Sequence, residues 1–77
     1  MWFKCEERSP SKNGTYFVVH RINAHNIYGA ARFAKNLGKV IGLSEYDGQS
    51  GFYDSDSEWG TFVTYPTAWK YIERYEG

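Results

Sequence analysis

Residues 15–22, TYFVVHRI, constrain the fold more than any other stretch of this chain. Aromatic and β-branched side chains crowd the segment, which marks a strand. Asn13-Gly14 precedes it as a turn pair that takes positive φ readily. Alternation places Tyr16, Val18, His20 and Ile22 on one face and Phe17, Val19 and Arg21 on the other. The second face ends in a charge, so the first is the expected core face. Such a strand needs a sheet around it, and the chain has only 77 residues to build one. That length makes one domain, 1–77, near the lower limit for independent folding. Aromatic residues make up 19% of the sequence. Each buries about 150–250 Å², so a few supply a core while others stay partly exposed.

The flanking segments predict a small α+β domain. MWFKC, at the start, reads as a short strand with Trp2 and Phe3 on opposite faces. Asn23 is a candidate N-cap, and residues 24–37 place Ile27, Ala30, Ala31, Ala34 and Leu37 on one stripe at helical spacing. Gly38 falls where a left-handed residue ends a helix; Gly29 weakens that helix by up to about 1 kcal/mol. KVIGLSEY, residues 39–46, reads as a strand with a bulge at Gly42. Asp47-Gly48 then turns a hairpin into GFYDS. WGTFVTY is a further strand stopped by Pro66. For the tail, Ala68, Tyr71, Ile72 and Tyr75 favour a short helix over the strand suggested by Trp69 and Tyr71. The expected architecture is a mainly antiparallel sheet of about four strands with the 24–37 helix packed on one face.

Net charge is zero, but the charges are segregated. Residues 8–44 carry Arg8, Lys12, Arg21, Arg32, Lys35 and Lys39 with no acid. Residues 45–58 carry Glu45, Asp47, Asp54, Asp56 and Glu58 with no base. Asymmetry of this kind fits either a charged partner or two elements that attract each other in the fold. Cys5 is the only cysteine, so no internal disulfide forms; as a small apolar strand residue it needs no further role. The longest apolar run, Tyr16–Val19, is too short to cross a membrane as a helix. No signal-peptide pattern opens the chain, and the cytoplasm of a host cell is the expected compartment.

Three blocks, taken in order, carry a family resemblance. Trp2, Glu7, Arg8, Pro10, Gly14 and Val18 are spaced as in the opening of domain-of-unknown-function family 551, whose small members are frequent in phage and prophage genomes. YDGQSGFY, residues 46–53, resembles the family's second shared block. TAWKYI, residues 67–72, resembles a divergent form of its closing Thr-His-Trp-Met-Pro-Leu segment. Ala68 stands where the family has His and Tyr71 where it has Pro, so any role of that His is absent here. Residues 24–37 read as an insertion between the blocks. The blocks cover roughly half the chain. The family has no established activity, so the resemblance implies an origin in a mobile element more than a mechanism.

Catalytic chemistry finds little to work with. Asp54, Asp56 and Glu58 match the first three ligand positions of a calcium loop, but Trp59 replaces its glycine and Tyr65 its bidentate glutamate. No metal or other cofactor is expected. His20, His25 and Cys5 lie in no local nucleophile–base motif, and phosphate-loop, dinucleotide and zinc spacings are missing. The leading expectation is a non-catalytic protein that binds and inhibits a host macromolecule, as anti-defence proteins such as CRISPR inhibitors do. Glu45, Asp47, Asp54, Asp56 and Glu58 would steer the encounter, with Tyr53 and Trp59 as anchors and Trp69 as a further candidate. One alternative is nucleic-acid binding by a strip of Arg32, Lys35 and Lys39 on the helix, extended by Lys12 and Arg21, with Tyr28 or Phe33 stacking on bases. Another is sequestration of a nucleotide signal in an aromatic pocket. An exposed strand edge leaves homodimer formation open.

Overall fold

The computed structural model describes residues 1–72. Six strands form one antiparallel sheet: β1 Phe3–Lys4, β2 Gly14–Ile22, β3 His25–Ala34, β4 Gly51–Asp56, β5 Gly60–Thr64 and β6 Ala68–Lys70. Their order is β1-β6-β2-β3-β4-β5. Between β3 and β4 lie one short helix, α1 (Leu37–Ile41), and a 3-10 turn, Ser44–Tyr46. The domain is therefore mainly β, with two more strands than expected and far less helix.

The expected 24–37 helix is replaced by β3. Asn23 does not cap; with Ala24 it forms a two-residue turn in which both have positive φ, 50° and 65°. Ile22 pairs with His25 directly across it, as in a type I′ hairpin. The alanines that suggested a helix are small for a different reason. Ala31 faces Tyr16, Ala30 faces Phe17, and Gly29 faces Val18, whose other neighbour is Trp69. Small residues on β3 leave room for large rings on the strands beside it. Ile27, Gly29, Ala31 and Phe33 share one face at a period of two, a pattern the helical stripe had masked.

Residues 39–46 also differ from expectation, since no strand forms there. Asn36 Oδ1 accepts a bond from Gly48 N, and Leu37 N donates to Gln49 O, both within 2.9 Å. These bonds clip the start of α1 to the end of the corner. Gly38 lies inside α1 rather than after it: a β-carbon there would stand 2.6 Å from Asp47 N. Gly42, with φ of 77°, is the left-handed C-cap. Asp47-Gly48 makes a turn, with Gly48 φ at 78°, but it leads out of the 3-10 segment rather than between paired strands. In the tail, residues 68–70 are β6 instead of helix. Residues 73–77, which include Tyr75 of the expected helix, lie outside the described residues.

The sheet curls strongly. His20 of β2 and Thr64 of β5 are three strand spacings apart in the sheet order, about 14 Å if the sheet were flat. Yet His20 Nε2 and Thr64 Oγ1 are hydrogen-bonded at 2.8 Å. The curl wraps the expected β2 face around a core of Tyr16, Val18, Ala31, Phe33, Phe52 and Trp69, with Phe3 and Cys5 against it. Trp69 is only 1% exposed. Its Nε1–H donates to Arg8 O, and Tyr16 Oη donates to Lys12 O, each at 2.8 Å. Both polar ring atoms thereby hold the 8–12 loop over the core, where Pro10 is buried.

Candidate functional site

The acidic residues separate into two groups. Asp54, Asp56 and Glu58 lie on or beside the β4–β5 hairpin, while Glu45 and Asp47 lie in the corner between α1 and β4. The length of β4, six residues, puts about 17 Å between the corner and the hairpin tip. Tyr53 belongs to neither group: it pairs with Arg32 and Val63 on the opposite face of the sheet.

The hairpin is a well-defined arm. Asp56 pairs with Gly60 across a loop of Ser57, Glu58 and Trp59. Gly60 takes φ of 71°, the left-handed geometry that closes a three-residue hairpin loop. Asp56 Oδ1 accepts from Glu58 N at 2.9 Å and also from Trp59 N, so this carboxylate shapes the turn. Asp54 Oδ1 accepts from Ser55 N at 2.8 Å. The backbone of the arm thus orients both aspartates. At its tip Trp59 is 78% exposed, in contrast to buried Trp69. Of the two tryptophan anchor candidates, only Trp59 is available to a partner.

The basic strip expected on a helix is dispersed because that helix is absent. Arg32 lies on β3, Lys35 just beyond it and Lys39 on α1. Phe33 is buried in the core, so it offers no stacking surface. Tyr28, however, is 65% exposed on the outer face of β3. It closes a depression of about 510 Å³ lined by Trp2, Phe17, Tyr28, Ala30 and Lys70. The Trp2 and Tyr28 ring centroids are 6.0 Å apart. Lys70 Nζ stands 4.9 Å from the Trp2 ring and 5.8 Å from Phe17, within cation–π range. Sequence reasoning missed Trp2, Phe17 and Lys70 as a group. Period-two alternation over 25–34 was the signal that would have put Tyr28 beside them.

Other reactive groups are structurally occupied. Burial pushes the Cys5 thiol up from its ordinary 9.0, which lowers the thiolate fraction needed for nucleophilic attack. His20 is bonded to Thr64. A second depression of about 240 Å³ lies near α1, between Leu37, Phe52, Tyr46 and Tyr65, and no charged residue lines it. Hydrogen bonding to Tyr65 pushes the Tyr46 phenol up. A phosphate-bearing signal would find no cation in that pocket. Among the described residues no three His, Cys, Asp or Glu side chains are grouped to hold a metal ion, and no helix is long and apolar enough to cross a membrane.

No family model matches the chain, and neither a curated protein nor a solved structure matches it. Several of the residues likened above to family 551 have structural duties here. Val18 and Trp69 are core, Pro10 is buried, and Arg8 lies over the Phe3 ring at 4.8 Å while its carbonyl receives the Trp69 bond.

Proposed function

We propose that this domain is a non-catalytic binding protein of phage or prophage origin that docks on a basic surface of a host macromolecule through the β4–β5 arm and blocks it. The observation that carries this reading is Trp59, exposed at the tip of an ordered hairpin and flanked by Glu58, Asp56 and Asp54. Trp59 contributes little to the core, and leaving so large an apolar ring in water is unfavourable. Tryptophan is the residue type most enriched among binding hot spots. The carboxylates around it would accelerate approach to a positive surface. A nucleic-acid channel of a host defence complex has the required charge.

Affinity purification from host lysate tests the reading, with mass spectrometry and three proteins: wild type, Trp59→Ala and Glu58→Lys. Asp56 is left intact because it shapes the turn. One stoichiometric host protein should be retained by the wild type and lost by both variants, with circular dichroism unchanged. Retention that ignores both substitutions, or repeated absence of any stoichiometric partner, overturns it.

A further inference from the structure

We propose that the outer face of the sheet, distinct from the acidic arm, is a binding surface for single-stranded nucleic acid. Cross-strand pairing defines this face row by row. Lys4, Ala68, Val19 and Tyr28 form one row; Lys70, Phe17 and Ala30 form the next; Thr15, Arg32, Tyr53 and Val63 form a third. Arg21 and Asn26 continue it beyond Tyr28, with Arg21 Nη1 bonded to Asn26 Oδ1 at 2.9 Å. Four cations, Lys4, Arg21, Arg32 and Lys70, therefore share one face. Among the described residues the only acids in any strand, Asp54 and Asp56, alternate onto the Phe52 side of β4, opposite the cations. Among the described residues the strand positions of this face carry four cations and no acid, while Glu6, in the loop after β1, lines a separate depression with Lys4 and Arg21.

Aromatic rings lie among those cations. Trp2, Phe17 and Tyr28 remain exposed around the depression; Trp2 immediately precedes β1 and the other lining residues belong to β2, β3 and β6. A sheet with exposed aromatics and flanking cations suits one occupant above others. Bases stack on rings regardless of sequence, while the phosphates between them meet Lys and Arg. A purely apolar partner would supply no counter-charge to Lys70, which has none among the described residues. A carboxylate-bearing peptide would use the cations but only part of the ring surface. Lys70, held between Trp2 and Phe17, is positioned to meet a phosphate next to a stacked base.

The test is fluorescence anisotropy of a labelled ten-nucleotide oligo(dT) and oligo(U) with the full chain, at low and raised salt. Wild type should bind at low salt, quench tryptophan fluorescence, and weaken along a linear log–log salt dependence. Tyr28→Ala should weaken binding at least about fivefold through lost stacking. Lys70→Glu should weaken it further and flatten the salt slope, whereas Trp59→Ala should leave it unchanged. That last arm separates this surface from the protein-docking arm. Circular dichroism and thermal melting confirm that each variant is folded. Absence of binding by folded wild type at low salt overturns the proposal. So does binding that survives both Tyr28→Ala and Lys70→Glu. Sedimentation showing a dimer that Tyr28→Ala dissociates, with no oligonucleotide binding, would overturn it in favour of a second copy covering the face.

Discussion

Two tryptophans ten positions apart have opposite fates, and local sequence gives little warning of it. Trp69 touches the rings of Phe3, Tyr16 and Tyr71, with centroids 4.8–5.2 Å away, and donates to Arg8 O. Trp69→Ala removes all of this, at a cost of about 3–5 kcal/mol. A chain of this size holds about 4–12 kcal/mol in total, so the variant should be largely unfolded in a urea titration at 25 °C. Trp69→Phe keeps a ring but leaves Arg8 O without its donor; its urea midpoint should fall between the two. Cys5 gives a second expectation at this scale. Its thiol is pushed up by burial, so the neutral form is favoured in the fold. That contribution is present below the unfolded thiol's ordinary value and fades as pH rises through the higher folded one. Alkylation of native protein should therefore be slower than that of urea-unfolded chain at pH 8, and the native rate should still be climbing above pH 9.0. Equal rates at pH 8 would contradict the burial argument.

Among the elements, β2 was legible in full: its composition, its preceding turn and its core face follow from alternation, and Tyr16 and Val18 are buried as expected. β1 and β5 were legible as well. β3 was not, because Ala30, Ala31 and Ala34 satisfy a helical stripe while Ala31 and Phe33 satisfy a strand. The deciding facts are tertiary: Tyr16 and Phe17 need small partners on the adjacent strand. The turn before β3 supplies a discriminating test. Ala24 sits at φ of 65°, which costs an L-residue about 1–2 kcal/mol and glycine almost nothing. Ala24→Gly should therefore raise the urea midpoint, whereas at the start of a helix the same change would lower it. The hairpin arm obeys the same rule with opposite sign. Gly60 is left-handed with open space around it, so Gly60→Ala should destabilise the arm by about 1–2 kcal/mol through backbone strain alone. Amide exchange in residues 54–62 should quicken on that substitution while β2 remains protected. The site was partly legible: the exposed acidic stretch with Trp59 could be read from local letters, but the outer aromatic face depends on β1, β6, β2 and β3 lying side by side.

At the level of the whole molecule, the sheet order decides both charge distribution and cooperativity. Along the chain, basic and acidic residues fall into consecutive blocks; in space, strand alternation re-sorts them, sending four cations outward and the β4 aspartates to the other face. The order β1-β6-β2 also means that β1 and β2 have no direct pairing. They are joined through residues 67–70. Thr67 alone donates from its N to Val19 O at 2.8 Å, receives Cys5 N on its carbonyl at 3.0 Å, and accepts Arg21 N on Oγ1 at 3.0 Å. β6 is thus an interior strand, second in the sheet order although last among the described strands, and the long-range pairs Val19–Ala68 and Lys4–Ala68 must form together. A proline in an interior strand removes a donor and is poorly tolerated there. Ala68→Pro should therefore abolish cooperative unfolding of the whole domain, at a cost of about 3 kcal/mol or more, with loss of the near-ultraviolet signal of Trp69. Thr67→Val, which removes only the acceptor for Arg21 N, should cost about 1–2 kcal/mol and leave one sharp transition. If Ala68→Pro instead melted β1 alone, with β2–β5 still protected from exchange, β6 would be an edge attachment and the curled sheet would close without it.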